Sequence, residues 1–149
     1  MGIQAADVQK LRDTTGAGVM ECKKALTDAG GDFGKAVALI HERGLTKVEK
    51  RSGRETGAGL IQSYVHNERI GVLVDVRAET DFVVRSEPFR ALAKELALQI
   101  SATNPATVED LLAQPSIRDE SKTVESLVKE VIARVGENVR INKFFRAEV

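Results

Sequence analysis

Aromatic residues are scarce in this chain. They make up 4% of its 149 residues, as five Phe, one Tyr and no Trp, so the core must be packed mainly by Val, Leu, Ile and Ala. Cysteine is scarcer still, because Cys22 stands alone. That excludes an intrachain disulfide and a cysteine-cluster metal site, and it fits a reducing compartment. No apolar run approaches the roughly 18 residues of a membrane span. The stretch Met1-Gly2-Ile3-Gln4-Ala5-Ala6-Asp7 lacks the basic and apolar regions of a secretory signal, and Ala6 stands where an N-acylation motif needs Ser or Thr. Neither sign of charge is in excess, with 22 Lys and Arg against 22 Asp and Glu. That balance argues against a nucleic-acid protein driven by phosphate neutralisation. The absences together predict a soluble cytoplasmic protein with neither a membrane nor a nucleic acid as partner.

The residues of catalysis are also thin. His41 and His66 are the only histidines, and neither lies in a pattern with metal-ligand or triad logic. Gly16-Ala17-Gly18 and Gly57-Ala58-Gly59 lack the remaining residues of a Walker or dinucleotide motif and read as turns. Lys47, Lys50, Arg51 and Arg54 form a basic run interrupted by Glu49 and Glu55, which suits a solvated face better than a phosphate site. Glu109-Asp110 and Asp119-Glu120 suit helix starts and loop charge. The inventory predicts no enzyme, no cofactor and no bound metal, and points instead to a protein that binds another macromolecule.

What is present is an orderly succession of apolar stripes. Val8 and Leu11 mark a first helix with Gly16 past its end. Val19, Cys22, Leu26 and Ala29 mark a second, broken by Gly30-Gly31, and Phe33, Ala36, Val37 and Ile40 a third, capped by Asp32 and ended at Gly44. Residues 1–45 therefore read as a three-helix module too small to bury much surface alone, and 46–59 as a charged linker. Residues 60–149 read as an α+β core. Leu60 to Val65 and Ile70 to Ala78 flank a hairpin-sized connection, and Phe89, Leu92, Ala93, Leu96 and Ile100 form an amphipathic helix. Thr107 to Ala113 suggests a short helix, and Val124, Leu127, Val128, Val131 and Val135 a last one ended by Gly136. A closing strand follows, and the order of elements predicts a small antiparallel sheet covered on one face by helices.

Two phenylalanines stand out against this pattern. Glu79-Thr80-Asp81-Phe82-Val83-Val84 leaves the alternating strand Ile70–Ala78 and carries Phe82 into a short connection before a helix start at Ser86-Glu87-Pro88. A large apolar side chain there either tucks under the fold or enters a partner. In the closing strand Val139, Ile141, Phe145, Ala147 and Val149 alternate, which leaves Phe144 on the face of Arg140, Asn142, Arg146 and Glu148. Phe144 either folds under a loop or covers a second surface, and a three-stranded sheet with unpaired edges could satisfy both needs by self-association.

Three ordered stretches carry a family resemblance: Leu11-Arg12-Asp13-Thr14-Thr15-Gly16-Ala17-Gly18-Val19-Met20-Glu21-Cys22-Lys23-Lys24-Ala25-Leu26, then Glu79–Val84, then Val135-Gly136-Glu137-Asn138-Val139. Over nearly its whole length the chain resembles bacterial translation elongation factor Ts. The resemblance implies a ubiquitin-associated-like N-terminal module and a guanine-nucleotide exchange factor that promotes GDP release from elongation factor Tu during translation. It implies that Thr80, Asp81, Phe82 and Val83 approach the magnesium site of the GTPase, with the phenylalanine inserted between helices of its G domain. Arg12, Val19 and Met20 match positions that touch the same domain, and Val135 and Gly136 match a turn near the inserted loop. Asn104 to Lys122 is short where longer members hold a second core half. The likeness is therefore to short, single-core members that pair as homodimers and form two-plus-two complexes with GDP-bound or nucleotide-free GTPase, which favours Phe144 as interface. A binding module that recognises a ubiquitin-like or ribosomal partner is the alternative the first stretch alone would permit.

Overall fold

The computed structural model describes residues 2–149. The chain divides into two compact units between Lys50 and Arg51.

The first unit is helical. Helices α1 (Ala5–Thr15), α2 (Val19–Asp28) and α3 (Phe33–Arg51) follow one another across tight turns. Gly16 ends α1 in the left-handed region at φ 72°, and the Asp32 carboxylate accepts the Lys35 N–H at 2.9 Å to start α3. Leu11, Cys22, Ala25, Leu26, Ala36 and Ile40 share one buried cluster. Burial, eased by a hydrogen bond with Thr15, pushes the Cys22 thiol above its ordinary value, so this cysteine packs as a small hydrophobe.

Two expectations fail in this unit. Val19 is not on the buried stripe of α2. It opens the helix and is 48% exposed, while Ala25 takes the packed position beside Cys22 and Leu26. Nor does α3 stop at Gly44, since Ala36, Ile40, Gly44 and Val48 recur every fourth residue and are all buried. Packing along that stripe offsets the roughly 1 kcal/mol cost of a mid-helix glycine. Thr46–Arg51, expected to belong to the linker, is therefore helical, and Ala58 and Gly59 already belong to a strand.

The second unit is α+β. Strands β1 (Ala58–His66), β2 (Ile70–Ala78) and β3 (Val139–Glu148) form an antiparallel sheet in the order β1-β2-β3. Between β2 and β3 run α4 (Asp81–Val84), α5 (Glu87–Thr103), α6 (Val108–Ala113) and α7 (Val124–Val135). Helix α5 packs on β1 and β2, and α6 and α7 on β3. Val72, Val74 and Val76 of β2 meet Phe89, Leu92, Leu96 and Ile100 of α5 in the core, and all seven are buried. The opposite face of the sheet carries no helix of this unit. Among the described residues no helix is long and apolar enough to cross a membrane.

The register of β3 corrects the expected face of Phe144. Pairing with β2 shifts between Asp75 and Val76, so that Lys143 lies opposite Asp75 while Ile141 lies opposite Val76 and Asn142 is left over. This β-bulge reverses the inward alternation beyond it. Phe144 lies opposite Val74, which is fully buried, and two residues on Arg146 donates to the Ser101 carbonyl of α5 at 3.0 Å. Phe144 is accordingly half-buried on the helix-covered face. It is Phe145, opposite Leu73, that points to the open side with 64% of its surface exposed. Strict period-two counting misplaced both because a bulge adds a residue without any signal in apolar spacing.

Candidate functional site

The segment following β2 is one helical turn, not an open loop. Thr80 caps α4, with its hydroxyl oxygen accepting the Val83 N–H at 3.4 Å. Arg85 N–H closes on the Asp81 carbonyl at 3.1 Å, and Ser86 N–H on the Val83 carbonyl at 2.9 Å. Val83 and Val84 point inward and are buried. Phe82 points outward and is 85% exposed, with Asp81 exposed beside it. Four residues cannot hold a helix by their own hydrogen bonds, so the turn is fixed from outside.

Two side chains do this. The Glu137 carboxylate accepts both the Thr80 N–H, at 2.9 Å, and the Thr80 hydroxyl, at 2.7 Å. In return the Glu79 carboxylate accepts the Asn138 N–H at 2.8 Å. Buried Asn138 extends the brace by donating its amide to the carbonyls of Arg54, at 3.0 Å, and Ser52, at 3.4 Å. Arg54 also sets a guanidinium 3.7 Å from the Glu79 carboxylate. Gly136 makes the crossing possible: it ends α7 in the left-handed region at φ 78°, a conformation that glycine adopts without the penalty of a Cβ, and turns the chain so that Glu137 and Asn138 face the end of β2.

The second unit therefore brings Thr80, Asp81, Phe82 and Val83 into one element and joins that element, through Glu137, to the turn at Val135 and Gly136. Val83 serves as an anchor beneath the turn and does not project. Arg12, Val19 and Met20 lie in the first unit and are all exposed, Met20 by 73%. Glu79, Glu137 and Asn138 were not picked out individually by sequence reasoning. Their signal was present in the repeated acid-polar pairs Glu79-Thr80 and Glu137-Asn138 at the ends of two elements, but only the fold makes them neighbours.

The open face of the sheet forms a second surface. Ile61 and Val65 of β1, Leu73 of β2 and Phe145 of β3 are between 49% and 64% exposed on it. Asp75 shares that face yet is buried, because Arg77 grips its carboxylate at 2.6 and 3.0 Å and Asn142 donates to it at 2.9 Å. Arg77, with help from Asn142, holds the Asp75 carboxyl below the usual carboxylate range. Among the described residues no group of three or more His, Cys, Asp or Glu could hold a metal ion.

A family model described as elongation factor Ts matches residues 79–149, beginning at the brace itself. Whole-chain relatives agree. The chain is 37% identical over 193 aligned positions to elongation factor Ts of Thermodesulfovibrio yellowstonii, covering 100% of this chain and 97% of the relative. It is 40% identical to the elongation factor Ts of Solidesulfovibrio magneticus, with 97% and 95% covered. Against that of Coprothermobacter proteolyticus it is 40% identical, with 98% of each covered. An alignment of 193 positions against 149 residues here means that the first relative carries residues with no counterpart in this chain.

Proposed function

This chain belongs to the elongation factor Ts family, and we propose on that footing that it acts in the cytoplasm as a guanine-nucleotide exchange factor for elongation factor Tu. The observation that carries the reading is Phe82, an aromatic ring almost wholly in solvent on a turn that is otherwise anchored on both sides. Such a ring is suited to enter a partner, and Asp81 travels with it toward the magnesium site that helps hold GDP. No covalent step is involved, so the protein is not an enzyme in the bond-making sense. It acts by coupling: a factor that binds nucleotide-free GTPase more tightly than the GDP form must weaken GDP by the same ratio.

Burying a phenylalanine contributes roughly 1.5 to 3 kcal/mol, or about ten- to a hundredfold in affinity. The rest comes from a wider contact to which the first unit, read as ubiquitin-associated-like, adds Arg12, Val19 and Met20, and the turn at Val135 and Gly136 adds its own surface. We further propose a homodimer through the open sheet face, centred on Phe145, Leu73, Ile61 and Val65. In that arrangement Phe144 supports the interface from the opposite side of the sheet. Two subunits then serve two GTPases.

The test is release of labelled GDP from elongation factor Tu. The wild-type chain is expected to accelerate release, and Phe82→Ala to reduce that acceleration at least tenfold while its circular dichroism stays unchanged. An undiminished rate with Phe82→Ala would remove the turn from the mechanism. No acceleration by the wild-type chain would remove the exchange reading altogether.

A further inference from the structure

Asp81 and Phe82 are the least supported residues of α4 by their own contacts, since both are exposed while Val83 and Val84 behind them are buried. Two valines fix the C-terminal side of the turn. On its N-terminal side, among the described residues, the long-range polar contacts of Thr80 are those to Glu137, one to its N–H and one to its hydroxyl. That hydroxyl is also the cap of the turn, accepting from Val83 N–H. A hydroxyl that donates to a carboxylate has its lone pairs directed elsewhere, so the Glu137 bond orients the cap as well as anchoring it. Glu137 thus acts on the first residue before Asp81 twice, through position and through capping.

We propose that Glu137 is a positioning residue for exchange: it holds the Asp81-Phe82 turn in its binding geometry before a partner is met. The inference rests on the exchange reading given above. Removing Glu137 releases Thr80, and the turn must then be ordered at the moment of binding, which weakens association without deleting any group that enters the partner. The neighbouring Glu79–Asn138 bond runs to a backbone N–H and persists, so the second unit keeps its fold. Glu137→Gln retains one acceptor for the Thr80 N–H and is expected to lie between wild type and Glu137→Ala.

The experiment is a double-mutant cycle on the 149-residue chain, read by labelled-GDP release across a range of factor concentrations, with amide exchange of the free chain measured alongside. Glu137→Ala is expected to lower exchange efficiency roughly tenfold, chiefly through a higher half-saturating concentration, and to speed amide exchange at Thr80 and Val83. In the Phe82→Ala background the same change is expected to cost less than about twofold, because the turn it positions no longer carries the ring. Equal costs in both backgrounds would overturn the proposal, since a direct contact by Glu137 or a general loss of fold is indifferent to Phe82. So would unchanged protection of Thr80. A wild-type chain that accelerates release while Glu137→Ala does so equally well overturns this inference alone; a wild-type chain without effect overturns the exchange reading together with it.

Discussion

Asn142 donates its side-chain amide to the Asp75 carboxylate at 2.9 Å from the bulged position of β3. The residue that breaks the strand register is thus the one that helps satisfy the buried charge on the neighbouring strand. Arg77, two residues along β2, completes the arrangement with two hydrogen bonds to the same carboxylate. An acid that would be costly on an apolar sheet face is thereby fully partnered, and the bulge that supplies Asn142 is what turns Phe145 outward.

Stability should therefore fall in acid through Asp75. Its folded carboxyl titrates below the ordinary carboxylate range because Arg77 first, and then Asn142, favour the ionised form. A depressed folded value means that the unfolded chain binds the proton more readily. The contribution is fully present above the unfolded carboxylate value of about 4 and is lost as pH falls through the folded value below it. Thermal melts between about pH 7 and pH 3 should show Asp75→Asn with a lower Tm at neutral pH and a flatter acid limb than wild type. Parallel acid limbs would show that other carboxylates dominate.

Gly59 is expected to be intolerant of any side chain. A Cβ there would lie 2.6 Å from both the Val76 carbonyl and Arg77 Cδ, so the methyl would strike backbone and displace the guanidinium from Asp75. Gly59→Ala should cost about 1 to 3 kcal/mol, the range for overpacking. Gly57→Ala, two residues earlier with no atom within 4 Å of its Cβ, should stay within about 0.5 kcal/mol of wild type. Urea unfolding of the two variants decides the matter, and equal costs would remove the steric account. The pair Gly57 and Gly59 looks like one turn signal in the sequence, yet the second is a strand position chosen for the side chain that crosses it.

Much of the fold was legible in this way, and the failures have physical causes. Helices α1, α2, α5 and α7 announced themselves by apolar spacing, and Gly16 and Gly136 announced the ends of α1 and α7, which they close at positive φ. Gly44 resembled those ends but lies inside α3, where buried neighbours four residues away override local preference. The exposed ring of Phe82 was foreseeable only as one of two possibilities, since spacing alone cannot tell a tucked residue from a projecting one. The brace was invisible, because Thr80 and Glu137 stand 57 residues apart and nothing local to either names the other.

Met20 offers a test of the first unit independent of the turn. It is 73% exposed on α2 next to half-exposed Val19, whereas the neighbouring Cys22 and Leu26 are buried, so truncation removes apolar surface without opening the helical core. Met20→Ala should weaken binding to elongation factor Tu roughly five- to tenfold, the scale of about 1 kcal/mol or slightly more of lost burial, and leave the melting curve in place. Calorimetric titration reads the affinity. Unaltered binding would leave the first unit out of the interface.

The open sheet face yields the sharpest contrast between neighbours. Phe145 is largely in solvent beside Leu73 and across the sheet from Ile61 and Val65, while Phe144 lies opposite buried Val74 on the helix side. If two chains pair through the open face, Phe145→Asp places a charge in the apolar centre of the interface and should convert dimer to monomer in analytical ultracentrifugation, with little change in monomer fold. Phe144→Ala should instead lower stability by about 1 to 3 kcal/mol, less than a fully buried phenylalanine because the ring is only half covered. Its effect on pairing would then follow from a loosened sheet and should diminish under conditions that restore the fold. A wild-type chain that sediments as a monomer at all concentrations would exclude the dimer, and a dimer unaffected by Phe145→Asp would place the interface elsewhere.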